Sequence, residues 1–219
     1  MAGAAENEGG ALRRRVPQQL RSRGRVLRIL EVAAELVVES GVEAVSTRNI
    51  AARAGIPVAS LYQYFADKEE VLLALVERDI AEMDEQVAED LEALTTLSVR
   101  AVVDTTMRAF LKVYRRRPSF VVIWFRGRTN VAVTDFVRAH NRRMAAELFA
   151  MVQAAGLVRE GSDGLYAELA VEVADRIFQL AFETGLVGDD RVIDEGIELV
   201  TAYLETHTTP DGLTGISKP

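Results

Sequence analysis

Side chains able to perform covalent or metal chemistry are scarce in this chain. Cysteine is absent, which removes thiolate nucleophiles, disulfides and thiolate metal sites. His140 and His207 stand alone, with no Glu-x-x-His pair or other ligand at metal spacing, and both read as surface residues. No glycine-rich phosphate loop is present. Polar chemistry gathers instead between Ser46 and Glu69, where Ser60, Gln63, Tyr62 and Tyr64 interleave with Val58 and Ala59. These groups can donate and accept hydrogen bonds, and no acid stands among them to repel a polyanion.

The elements that must position these groups are helices. Ser46 can cap a first short helix running to Ala54, Gly55 suits a tight turn, and a second short helix spans Val58 to Tyr64. Ala51 and Ala54 are small enough to let two helices approach. Ile50, Ile56, Leu61 and Phe65 form an apolar set facing a preceding helix, in which Val26, Ile29, Leu30, Ala33, Leu36 and Val37 recur at helical steps. Two short helices joined by a glycine turn make a helix-turn-helix, whose second helix fits a DNA major groove. Asp67 then caps a long helix to about Leu94. Further helices are expected over 98–116, 118–125, 131–155, 164–186 and 190–204, and no alternating strand pattern occurs.

The fold class is therefore all-α. Residues 1–20 read as a disordered basic arm, 21–66 as a three-helix DNA-binding domain, 67–207 as a larger helical domain and 208–219 as a flexible tail. Charge is uneven: residues 1–28 hold seven arginines against two glutamates, and residues 71–219 hold 16 basic against 24 acidic side chains. That polarity suits a chain with one end on a polyanion, and equally a solvated tail. No apolar run approaches the ~18 residues of a membrane span. The polar N-terminus lacks a secretory signal's apolar core, so the cytoplasm is the expected compartment.

The segment Thr47-Arg48-x-Ile50-Ala51-x-x-Ala54-Gly55, followed by Leu61-Tyr62-x-x-Phe65 and Lys68-Glu69, resembles the DNA-binding signature of the TetR family of regulators. The likeness covers Val26 to Leu72. It implies a homodimer on a palindromic operator of double-stranded DNA, and a repressor released by a small-molecule effector bound in the C-terminal domain. Neither a cofactor nor a metal is implied. On this resemblance Thr47 and Arg48 lie beside DNA, Val58, Ala59, Ser60 and Gln63 face the groove, and Tyr62, Tyr64 and Lys68 reach phosphates. Three positions depart from the family's habit: Pro57 where serine or threonine is usual, Ala59 where glycine is frequent, and Tyr64 where histidine is common. Pro57 also removes a backbone donor.

In the larger domain, Met107, Phe110, Tyr114, Trp124, Phe125 and Phe178 are candidates for an effector pocket, or else plain core; Arg126 and Arg128 follow the aromatics. Glu168, Glu172, Asp175, Gln179 and Glu183 draw one polar stripe on the 164–186 helix. The wide apolar remainder, with the repeat on the 190–204 helix, points to a four-helix dimer contact through Ile177, Phe182, Ile193, Ile197, Val200 and Leu204. The alternatives are a monomer whose own core covers both faces, an enzyme, or a helical binding protein that no longer touches DNA.

Overall fold

The computed structural model describes residues 9–127 and 130–217, with side chains from Ser22 onward. It contains ten α-helices among the described residues and one two-residue strand pair. The chain divides into two compact units, Met1–Ala74 and Leu75–Pro219. The division falls inside a helix rather than at the expected 66/67 boundary, because that helix is continuous.

The first unit begins with α1 (Gly9–Ser40). Residues 9–20, expected in a disordered arm, continue α1; residues 1–8 lie outside the described residues. Ala11, Leu12, the arginines and the glutamines are good helix formers, and extending a formed helix is far cheaper than nucleating one. Ile29, Val32, Ala33 and Val37 of α1 are fully buried. Gly41, at φ 79°, turns the chain out of the helix, and its N–H donates to the Val37 carbonyl at 2.9 Å. A 3₁₀ turn (Val42–Ala44) leads to α2 (Thr47–Ala54), α3 (Val58–Leu61) and the start of α4 (Lys68–Glu92).

The second unit takes the rest of α4, then α5 (Val99–Arg116), α6 (Pro118–Phe120), α7 (Val131–Ala154), α8 (Leu165–Ala181), α9 (Asp190–Glu205) and α10 (Pro210–Thr214). A π-helical turn, Val121–Arg126, follows α6 directly. Capping residues set the starts: Ser98 accepts from the Ala101 N–H, Asn130 from Val133 and Asp189 from Arg191. Gly196 lets α9 approach α8; a Cβ at this position would collide with Ile177. No helix among the described residues is long and apolar enough to cross a membrane.

The segment expected as a flexible tail makes contacts with the rest of the second unit. Residues 208–217 dock: the Thr209 N–H donates to the Leu157 carbonyl at 2.9 Å, and Gly212 lies against that carbonyl with no room for a Cβ. Ile216–Ser217 pairs antiparallel with Thr96–Leu97, a ladder too short to leave an alternating signature. His207 stacks on Tyr166 at 4.4 Å between ring centroids. His140, expected at the surface, is buried; Arg143 Nη2 lies 2.9 Å from its Nδ1, and Asp84 Oδ1 lies 3.5 Å from its Nε2.

Candidate nucleic-acid interface and interior cavity

The helix-turn-helix is held by local hydrogen bonds. Ser46 and Asn49 form a reciprocal capping box at the start of α2, and the Asn49 amide also donates to the Ala44 carbonyl at 2.8 Å. Gly55 adopts φ 68°, ψ 33°, a left-handed conformation that admits the Ile56 N–H to the Ala51 carbonyl at 3.0 Å. Pro57 precedes α3 in extended geometry, and its carbonyl accepts from Ser60 and Leu61, so the missing N–H costs the helix nothing. Ile50, Ala51, Leu61 and Phe65 are buried as the apolar pattern requires, with α2 packed on α1 and α3.

The opposite face carries the side chains predicted to meet DNA. Arg48, Ala59, Tyr62 and Gln63 are exposed, while Thr47, Val58, Ser60, Tyr64 and Lys68 are half-buried. Thr47 Oγ1 and the Tyr62 hydroxyl lie 3.1 Å apart, joining the start of α2 to the end of α3. Tyr64 leans on α1, where a hydrogen bond from Ser22 and, less strongly, the Arg25 guanidinium hold its hydroxyl below the usual tyrosine range. Arg25 is thereby brought beside the predicted residues. Arg53 turns away, its Nη1 2.7 Å from Glu39 of α1. Asp67 caps α4 through the Glu70 N–H, and Glu70 returns a bond to the Ala66 N–H, which fixes Lys68 in the first helical turn.

In the second unit, α5, α7, α8 and α9 line a cavity of about 110 Å³ that is partly open to solvent. Met107, Phe110, Tyr114 and Phe178 line it, as do Thr106, Asn141, Tyr166 and Asp175. Trp124 and Phe125 are outside the lining. The Trp124 indole N–H reaches Asp175 Oδ1 at 2.8 Å, and Phe125 packs edge-on against Tyr114 with centroids 5.3 Å apart. Burial, with the Asp175 carboxylate nearby, pushes the Tyr114 hydroxyl well above its usual range. Arg126 donates to the carbonyls of Phe182 and Gly185 at the end of α8, and Arg128 lies outside the described residues. The polar stripe of α8 is split: Glu168, Glu172 and Glu183 are exposed, but Asp175 and Gln179 turn inward and share a 2.6 Å hydrogen bond. An indole N–H removed from water needs an acceptor; that requirement is the signal an inward acid leaves in a sequence, and it does not say which acid supplies the acceptor.

Most of the residues expected at the dimer contact lie inside the single chain. Ile177, Phe182, Ile193, Ile197 and Val200 are buried within the single chain, at 8% exposure or less, and Leu204 borders the cavity. They form the α8–α9–α5 core. The apolar side chains left on the outer sides of the same helices are Leu165, Leu169, Val173 and Leu180 of α8 and Leu199 and Tyr203 of α9.

Two family models match this chain. One, described as bacterial regulatory proteins of the tetR family, covers residues 29–75; the other, a tetracyclin repressor-like C-terminal domain, covers residues 98–204. The chain is 28% identical over 74 residues to the fatty acid metabolism regulator protein of Bacillus subtilis (strain 168), a match over 34% of this chain that spans only 38% of that protein's length. Among solved structures it is similar to a TetR-family transcriptional regulator from Streptomyces coelicolor, with 32% identity, a TM-score of 0.68, and coverage of 84% of this chain and 99% of that one. The fatty acid degradation regulator FadR from Bacillus halodurans shares the fold at 17% identity and a TM-score of 0.61, over 81% of this chain and 94% of its own. Helix-turn-helix, larger helical unit and these matches together place the chain in the TetR family of bacterial transcriptional regulators.

Proposed function

We propose that the chain is a repressor that binds a palindromic operator as a homodimer and leaves it when a small apolar effector fills the α5–α7–α8 cavity. The observation that carries the DNA-binding half is the exposed face of α2 and α3. From Thr47 to Ala66 it contains no acidic side chain, although the molecule as a whole is acidic. Arg48, Tyr62 and Lys68 are set to position the duplex through phosphates, and Val58, Ala59, Ser60 and Gln63 to read base edges. Thr47 holds the Tyr62 hydroxyl in place, and Tyr64 acts with Arg25 beside it.

The apolar cavity supports the effector half, since such sites suit small molecules. The dimer reading rests on the outer sides of α8 and α9, where Leu165, Leu169, Val173, Leu180, Leu199 and Tyr203 leave apolar surface in water. A two-fold axis beside these helices gives a four-helix contact. Mobility shift with the DNA flanking the chain's own gene tests the proposal. A retarded band that disappears on adding an apolar extract of the producing cells is expected. DNA that is never retarded would overturn the reading.

A further inference from the structure

One stripe of α7 lines the cavity. Asn141, Ala145, Leu148 and Val152 follow one another along it at steps of four, three and four residues. The last three are apolar, as is most of the lining that α5 and α8 contribute. Asn141 breaks the pattern. It is only 9% exposed, yet its side-chain amide makes no hydrogen bond among the described residues. Thr106, on the α5 wall of the same cavity, is 7% exposed, and its hydroxyl has no partner there either. A leucine at position 141 would fill similar space without that burden. A buried amide is costly until something supplies the missing bond.

Resting on the reading of this cavity as the effector site, we propose that Asn141 is its specificity-determining residue. The ligand is then an apolar molecule bearing an oxygen function, carbonyl or hydroxyl, that accepts from the Asn141 amide N–H. Apolar walls hold a hydrocarbon body by burial and discriminate weakly between bodies of similar size. A single buried amide discriminates more sharply. Beside a hydrocarbon of the same shape it stays unpaired, and beside an oxygenated one it gains a bond. A few polar groups on apolar walls fix a ligand's orientation in the same way.

The full chain is titrated with methyl hexyl ketone and with its methylene analogue, in which a CH₂ group replaces the carbonyl oxygen and the shape is kept. Trp124 is the chain's single tryptophan and donates to Asp175 of the cavity wall, so its emission reports occupancy. The hydrocarbon leaves water more readily than the ketone, so the informative quantity is the change that Asn141→Leu makes in each affinity. Asn141→Leu should weaken the ketone and leave the hydrocarbon equal or tighter, a change of about tenfold in their ratio. Asn141→Ala replaces it if the leucine protein does not fold. Infrared spectra supply a readout that packing alone would not move. The carbonyl stretch of the bound ketone should lie below its position in hexane, return toward that position in Asn141→Leu, and stay low in Thr106→Val. An unchanged affinity ratio, a stretch at the hexane position in the natural chain, or a stretch that responds to Thr106→Val and not to Asn141→Leu would overturn the inference and leave the cavity a binding site. If neither probe gives a saturable change, the reading of the cavity falls and the inference with it. Ketone that saturates the cavity while operator stays bound sinks effector release alone and leaves the role of Asn141 standing.

Discussion

At the level of single residues, the proposed interface divides into side chains that position DNA and side chains that read it. Tyr62 is held by Thr47 and faces solvent, so Tyr62→Phe should weaken binding to all sequences alike, since a phosphate contact carries no base information. Gln63→Ala should instead reorder preference among operator variants, by about 1–3 kcal/mol at one base pair if the amide pairs with an adenine edge. Competition binding against a panel of point-mutated operators checks both; an unchanged ranking for Gln63→Ala would remove Gln63 from the reading set. A second residue governs pH response. His140 is neutral in the fold, its pKa lowered to about 4 from 6.5 chiefly by burial and next by Arg143. A histidine so depressed contributes fully above about 6.5, and its contribution is lost as pH falls toward 4. Denaturant titrations from neutral pH to pH 4 should therefore show a steeper loss of stability for the natural chain than for His140→Gln. Asp84, its own pKa raised by burial, stays in both proteins, so the comparison isolates the imidazole.

Among the elements, periodicity announced every long helix. The observed spans Val99–Arg116, Val131–Ala154 and Asp190–Glu205 differ from the expected ones by a residue or so. Periodicity could not say what covers an apolar face. The repeat through Ile193, Ile197 and Val200 looks the same whether α5 or a second protomer lies against it, and here α5 and α8 do. Docking of the C-terminal segment depends on the fit of Gly212 to the Leu157 carbonyl, two residues so distant in the chain that no local pattern links them. The inward turn of Asp175 was hidden in the same way, because its partner Trp124 stands on another element. Two variants should therefore behave in contrasting ways. Ile197→Glu buries a charge without a partner and should cost several kcal/mol, with a fall in helical circular dichroism. Leu169→Glu sits on the exposed side of α8, should keep the helix signal, and should run as a monomer in gel filtration with weakened operator binding. A dimeric Leu169→Glu protein would move the interface elsewhere.

For the whole molecule, charge sets the terms of association. An acidic body with an arginine-rich N-terminus is expected to meet DNA through one end, with a salt sensitivity set by counterion release. Deleting residues 1–20 removes Arg13, Arg14 and Arg15 from each protomer. The slope of log affinity against log salt should flatten by about 0.9 for each phosphate no longer neutralised, with operator preference unchanged. Identical slopes would leave that segment without a role at the DNA. Operator recognition as proposed requires two copies of this helix-turn-helix on one inverted repeat, their recognition helices about one DNA turn apart, roughly 34–36 Å. The decisive quantity is the stoichiometry of operator binding, measured by fluorescence anisotropy at protein concentrations well above the dissociation constant. Two protomers per inverted repeat, with affinity collapsing when either half-site is scrambled, is the predicted result; one protomer holding a lone half-site at full affinity would contradict it.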